Sequence, residues 1–241
     1  EYFATFSLGL LSPFQPDDGP EKYRVHRMLS WWSAEACLES RSVEEWNLEN
    51  SWQGIGVRNL RFGSNSSMPV KGFHPFCAFE DRKAGVVWGA EIAAFGPWQM
   101  ELYRRHDFFS ISGGIPDREQ NGWTRILLPG ETLKSPAALV SCVKGDVQTL
   151  LNRFQGWQCG GEPDCEKDMP VVYNDWCTTW GRPTERNLMP IAERLAGSGI
   201  RHFVMDDGWF RSGKESLCGI GTWNVAKENY PSGLKAFADS L

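Results

Sequence analysis

The sequence predicts two folds in series: an antiparallel β-sandwich, then the opening of a parallel α/β sheet or barrel. Three observations carry this. From Tyr2 to about Val143, short β-rich segments recur between Gly, Pro, Asn and Asp, with no long helical period. After Pro170 the pattern becomes strand–helix–strand with short connections, which implies parallel strands joined by right-handed crossovers. Between the two lies one amphipathic helix followed by a linker containing Gly, Pro and Cys. The expected bounds are therefore 1–143 for the sandwich, 144–169 for the connecting helix and linker, and 170–241 for the α/β part.

In the first part, AGVVWGAEIAAF (84–95) and WQMELYR (98–104) are β-rich and separated by the turn signal Gly96-Pro97. DFFSISGG (107–114), WTRILLPGE (123–131) and AALVSCV (137–143) continue the series of strands. Trp31 and Trp32 adjoin in a predicted strand, so one should face in and the other out. In GDVQTLLNRFQGW, Val147, Leu150, Leu151 and Phe154 share one helical face, and Asp146 is placed to cap it.

In the second part, VVYND (171–175) reads as a short buried strand. Leu188, Ile191, Ala192 and Leu195 form the apolar face of a helix that Thr184 can cap and Gly199 can end. Pro190 falls inside that helix and should kink it or delay its start. RHFVMD (201–206) is the next strand. PSGLKAFADSL (231–241) reads as a further helix, with Pro231 near its first turn.

Composition narrows the function. With 41% hydrophobic and 23% charged residues, the 241-residue chain has the make-up of an ordinary globular protein. A net charge of −5 with no basic patch argues against nucleic acid and anionic membrane as partners. No apolar run approaches the length of a spanning helix. Seven Cys is an odd number, so at least one thiol is unpaired within the chain. Cys159 and Cys165 are the close pair, better spaced for a linker disulfide than for zinc. The four His form no ligand-like cluster, and no metal or cofactor is expected. His74 and His106 read as loop or sheet residues. Glu1 stands where a Met would, no leader is readable, and the final residues look like a helix in progress. Both ends read as those of a fragment, and the missing leader leans towards the cytoplasm.

The chemistry-bearing residues lie where the two predicted parallel strands end, which is where α/β folds place their sites. The first strand delivers Asn174, Asp175 and Trp176, and the second Asp206, Asp207 and Trp209. Neighbouring parallel strands lie about 4.8 Å apart, so Trp176 and the acidic pair can line one mouth across thirty residues of chain. Ionised carboxylates only accept hydrogen bonds, each with about four lone-pair sites. They suit an uncharged ligand rich in hydroxyl donors, while an indole covers its C–H face. That combination binds sugars. DDGW is also a competent turn, and a hard cation would require more oxygen ligands at regular spacing. Trp209 and Trp223 read as core residues before pocket-edge ones.

These segments resemble glycoside hydrolase family 36, the retaining α-galactosidases. VVYNDWCTTW, GIRHFVMDDGWF and GTWNVAKENYPSGLKAFADSL follow the family pattern in order and spacing. RFGSNSSMPVKGFHPFCAFED, GVVWGAEIAAFGPWQMELYRR and LLPGETLKSPAALV are similar to its sandwich domain. The resemblance implies a β-supersandwich followed by an incomplete (β/α)₈ TIM barrel, in a full-length enzyme that is a homo-oligomer. It implies that Asp206 and Asp207 accept hydrogen bonds from the 4- and 6-hydroxyls of a terminal α-galactose in melibiose- or raffinose-type galactosides, and that Trp176 walls the pocket. The nucleophile and the acid/base of the double displacement are expected on later strands, beyond Leu241, so that none of the catalytic residues lies in this chain. Three rivals stand beside this expectation: a galactosyltransferase of the raffinose-synthase type, a non-catalytic carbohydrate-binding module, and a structural protein whose DDGWF is only a turn.

Overall fold

A computed structural model describes residues 4–10, 19, 21–49, 57–105, 108–161, 163–164, 167–210 and 223–241. The chain divides into two compact units, Glu1–Gly160 and Gly161–Leu241. Among the described residues no helix is long and apolar enough to cross a membrane.

The first unit holds two antiparallel sheets. One contains β1 (Ala4–Leu10), β4 (Val57–Ser64), β7 (Trp98–Arg105) and β8 (Phe108–Gly114), in the order β1-β8-β7-β4. The other contains β2 (Tyr23–Trp31), β3 (Ala34–Ser42), β5 (Gly72–Asp81), β6 (Val86–Ala93) and β9 (Ala137–Lys144), in the order β3-β2-β5-β6-β9. The sandwich core forms because side chains alternate along each strand. Phe62, Met100, Leu102, Phe109 and Ile111 from one sheet meet Val25, Cys77, Phe79, Ala90 and Ile92 from the other.

The same alternation gives the five-stranded sheet a second buried face. Phe76, Ala78, Val87 and Val143 point away from the sandwich core and pack against Leu150 and Phe154 of α2 (Val147–Gln158), the helix that comes after the short α1 (Arg118–Asn121) in the chain. Asp146 caps that helix, accepting from the Thr149 amide at 2.9 Å and the Thr149 hydroxyl at 2.8 Å. Gly89 makes the close approach possible, since a Cβ there would lie 2.3 Å from Leu150 Cδ2. Packing on the sheet places α2 within the first compact unit.

Two expectations for this unit are corrected. WTRILLPGE is not a strand: residues 122–128 run without ladder pairing and turn at Pro129-Gly130, with Ile126 83% exposed. Its three consecutive aliphatics lack the period-2 alternation that a sheet face needs. Trp31 and Trp32 do not split in and out. Strand β2 closes at Trp31, Trp32 enters the turn through Ser33 (φ 61°), and both indoles are exposed. His106 and Cys165 lie outside the described residues.

The second unit is a β–α–β unit. Strands β10 (Val171–Asn174) and β11 (Ile200–Val204) pair in parallel, joined by α3 (Trp176–Thr179) and α4 (Glu185–Leu195). Thr184 and Asn187 form a reciprocal capping box at the start of α4. The helix begins five residues before Pro190 and continues through it. Pro190 is exposed, so the Arg186 carbonyl that loses its partner is on the water side. The first left-handed residue after α4 is Gly197 (φ 75°), with Gly199 (φ 92°) following, so the helix stops earlier than Gly199 alone suggests. Helix α5 (Leu234–Asp239) starts after Gly233 (φ 86°), which leaves Pro231 in the preceding turn. A small core of Leu188, Tyr230 and Phe237 holds these elements together.

Truncating Leu150 to Ala should cost about 2–5 kcal/mol. Gly89→Ala should also destabilise, but less when Leu150 is already Ala, because the second change removes the clash. Urea unfolding of the two single variants and the double variant measures this coupling. Simple additivity would show that the two residues do not meet.

Candidate functional site

The parallel register sets the site. Asn174, the last residue of β10, stands opposite Val204, the last residue of β11. Asp206 therefore falls just past the end of its strand, where the backbone is no longer committed to the ladder. Adjacent strand residues would face opposite ways. The end of β11 at Val204 releases the acidic pair from that rule.

Asp175 is the centre of the arrangement, and its side chain is fully buried. Its Oδ1 accepts the Asp206 amide at 2.6 Å, and its Oδ2 accepts the Thr179 hydroxyl at 2.6 Å. Its own amide donates to the Val204 carbonyl at 3.2 Å, and its carbonyl accepts from the Thr178 and Thr179 amides. One side chain thus ties the end of β10, the first turn of α3 and the chain leaving β11.

Asn174 makes a second link above it. Its Nδ2 donates to Asp206 Oδ2 at 2.7 Å, while its Oδ1 accepts the Trp176 amide at 2.8 Å. Asp206 Oδ1 accepts the Asp207 amide at 2.6 Å. The residues singled out from sequence are thereby connected: the backbone of Trp176 reaches the Asp206 carboxylate through one carboxamide, and Asp207 is folded onto its neighbour. Trp176, Asp206 and Asp207 are all half-buried. The Asn174 amide, and secondarily the Asp207 N–H, hold the Asp206 carboxyl below the usual carboxylate range, against a smaller opposing effect of burial.

Gly208 follows the pair at φ 105°, pressed against the Gly181 carbonyl, where a Cβ would approach to 2.1 Å. Only glycine fits there. Aromatic rings surround this turn. Trp176 and Trp180 lie 6.0 Å apart, and Trp209 and Trp223 stack at 6.2 Å. Trp209 also packs on the small core, whereas Trp223 is 59% exposed. Beneath them the Tyr230 hydroxyl donates to Met205 Sδ at 2.8 Å. Burial, with the Asp175 and Glu185 carboxylates, pushes the Tyr230 phenol up.

Asn174 and Asp175 are the residues that sequence reasoning quoted but gave no role. The signal for Asn174 was its place directly before the indole-bearing turn, two residues from Trp176. Nothing in the sequence marked Asp175 as the buried member, because an acidic residue at a strand end ordinarily faces water. Among the described residues no group of three His, Cys, Asp or Glu gathers as a metal would need.

Comparisons with known proteins agree with this geometry. Residues 163–241 match the melibiase family. α-Galactosidase 1 of Pediococcus pentosaceus is 35% identical over 184 residues, covering 73% of this chain and 25% of its own length. α-Galactosidase C of Emericella nidulans is 26% identical across 87% of the chain. The part of the chain that carries the strand-end site is thus similar to the melibiase family, and the relatives matched over most of the chain are α-galactosidases. Among solved structures, the galactosidase domain of the α-galactosidase–sucrose kinase AgaSK superposes over 98% of the chain with a TM-score of 0.77 at 19% identity. The family 36 α-galactosidase AgaB of Geobacillus stearothermophilus does so over 97%, with a TM-score of 0.72 at 22% identity. These likenesses establish the fold as a sandwich followed by the first strands of a (β/α)₈ barrel. The chain spans 28% and 25% of the length of these two curated relatives, and 31% and 30% of the two solved chains.

Removing the Asn174 amide should raise the pKa of Asp206. A carboxyl whose folded pKa is depressed stabilises the fold above its unfolded pKa and loses that contribution as pH falls through the folded value. Asn174→Ala should therefore shift the Asp206 titration to higher pH and reduce the acid-side loss of stability. Carbon-13 NMR titration of the carboxyls reads the shift directly. A titration curve for Asp206 that does not move would show that Asn174 does not set it.

Proposed function

We propose that the strand-end site recognises the terminal galactose of an α-galactoside, and that the chain serves a retaining α-galactosidase acting on melibiose- or raffinose-type substrates. The observation that carries this reading is the Asn174–Asp206–Asp207 chain, which holds acceptor oxygens at the end of a parallel strand pair next to a half-buried indole. Asp206 and Asp207 accept from the sugar's hydroxyls, and Trp176 covers its apolar face. Preorganisation matters here, because an acceptor already held in place loses little freedom when the ligand binds.

Asp206 is held as an acceptor: each of its oxygens takes one hydrogen bond, from the Asn174 amide and the Asp207 N–H, and keeps a further lone pair for a sugar hydroxyl. In a retaining enzyme the nucleophile and the proton donor stand about 5–5.5 Å apart, facing one another across the scissile bond. We assign those roles to residues outside the recognition pair, on further strands of the barrel in the full-length protein. The relatives bear the name α-galactosidase, which supports hydrolysis over galactosyl transfer.

In a full-length enzyme carrying this chain, Asp207→Ala should lower kcat/KM for raffinose by at least about tenfold. That is the loss expected for one charge-assisted hydrogen bond of about 1.5–3 kcal/mol. Unfolding should be unaffected. An unchanged kcat/KM would remove Asp207 from the pocket. The 241-residue chain on its own should not hydrolyse an aryl α-galactoside, and turnover above background would place the catalytic carboxylates within it.

A further inference from the structure

The outer face of the four-stranded sheet carries a feature that the strand-end site does not explain. On β4 and β7 the residues between the core positions are polar: Asn59 and Arg61 alternate with Leu60 and Phe62, and Gln99 and Glu101 with Met100 and Leu102. A solvated sheet face would leave such groups in water. Here Gln99 is fully buried and Glu101 is 8% exposed.

The segment that leaves β8 covers them. Gln99 pins it by exchanging two hydrogen bonds with Asp117: its Nε2 donates to Asp117 Oδ2 at 3.1 Å, and the Asp117 amide donates to its Oε1 at 3.3 Å. Between the sheet face and this segment lies a cavity of about 640 Å³, lined by Arg61, Asp117, Arg118, Glu119, Trp123 and Arg125, among others. That volume lies within the range of small-molecule pockets, about 300–1,000 Å³.

Arg61 sits at the floor among three carboxylates, with Glu101 at 3.3 Å, Asp117 at 3.7 Å and Glu119 at 3.8 Å. Its Nε is buried and makes no hydrogen bond among the described residues. The Glu101 oxygen is near enough for an ion pair but not aligned with the N–H. A buried donor left in this state is uncommon in native proteins and calls for an explanation. Arg61, Arg118 and Arg125 line the cavity with Asp117 and Glu119, and Glu101, beneath the lining, pairs with Arg61 to offset the third guanidinium. Neither a cation nor an anion is favoured overall. What the cavity offers is paired donors and acceptors around a half-buried indole.

We infer that this cavity is a second ligand site, on the sandwich, for a neutral saccharide. Trp123 stacks on the C–H face of a sugar ring, the carboxylates accept from its hydroxyls, and the guanidinium groups donate to its oxygens. The Gln99–Asp117 exchange keeps the covering segment in place before the ligand arrives. The inference does not depend on the strand-end reading.

The test separates the two sites. In the 241-residue chain carrying Asp207→Ala, saturation-transfer NMR with raffinose should still report binding. Adding Trp123→Ala should weaken that binding at least about tenfold, equivalent to about 1.4 kcal/mol, and Trp123→Phe should retain part of it. If Trp123→Ala unfolds by circular dichroism, Arg125→Ala, an exposed change at the rim, should still weaken raffinose binding several-fold. The inference is overturned if the Asp207→Ala chain shows no transfer to raffinose, or if none of these sandwich variants alters it. Binding of trigalacturonate in preference to raffinose would overturn the neutral class.

Discussion

A buried carboxylate is the joint on which the second unit depends. Asp175 is shielded from water, and a carboxylate there is tolerated only if donors replace its hydration. The Asp206 amide and the Thr179 hydroxyl are those donors. Each bond also carries position: one holds the chain leaving β11, the other holds the first turn of α3. Because the carboxylate must be satisfied, the two strand ends must stay together. The Asp206 side chain is then placed for the Asn174 amide. The acceptors of the site are fixed by a residue that does not itself line its surface.

The rings are arranged by a related constraint. Gly208 can approach the Gly181 carbonyl only because it lacks a Cβ and takes a positive φ. That tight passage turns the chain directly after the acidic pair and sends Trp209 back onto the small core while Trp223 stacks outward upon it. A chain with any other residue at 208 would have to open this contact, and the aromatic surround would move with it.

In the sandwich, period-2 alternation does two different things. On the five-stranded sheet both faces are apolar, one for the sandwich core and one for α2. On the four-stranded sheet the outward positions are amide, carboxylate and guanidinium. Of these, Gln99 and Glu101 are buried, and they find partners in Asp117 and Asn59, while the Arg61 Nε is left without a hydrogen bond among the described residues. Polar groups held in this way are rigid, which distinguishes that face from an ordinary wet surface.

Much of this was legible in the residues. Alternation along 84–104 marked β6 and β7, the 3.6-residue spacing of Leu150 and Phe154 marked α2, and Thr184 marked the start of α4. These are local rules, and local order is enough to apply them. The strand expected at 123–131 failed because β propensity says nothing about whether a sheet edge is available for pairing. Trp32 failed because the turn began one residue earlier than the run of large residues suggested.

By itself, the sequence determined the two-part architecture, the helix caps and the presence of Asp206, Asp207 and Trp176 at strand ends, because each depends on neighbours within a few positions. Only the tertiary structure decided that Asp175 is the buried member, that Asn174 bridges to Asp206, and that Arg61 meets the segment after β8. Those facts depend on strand register and on which groups lose contact with water, and both are set by parts of the chain dozens of residues apart.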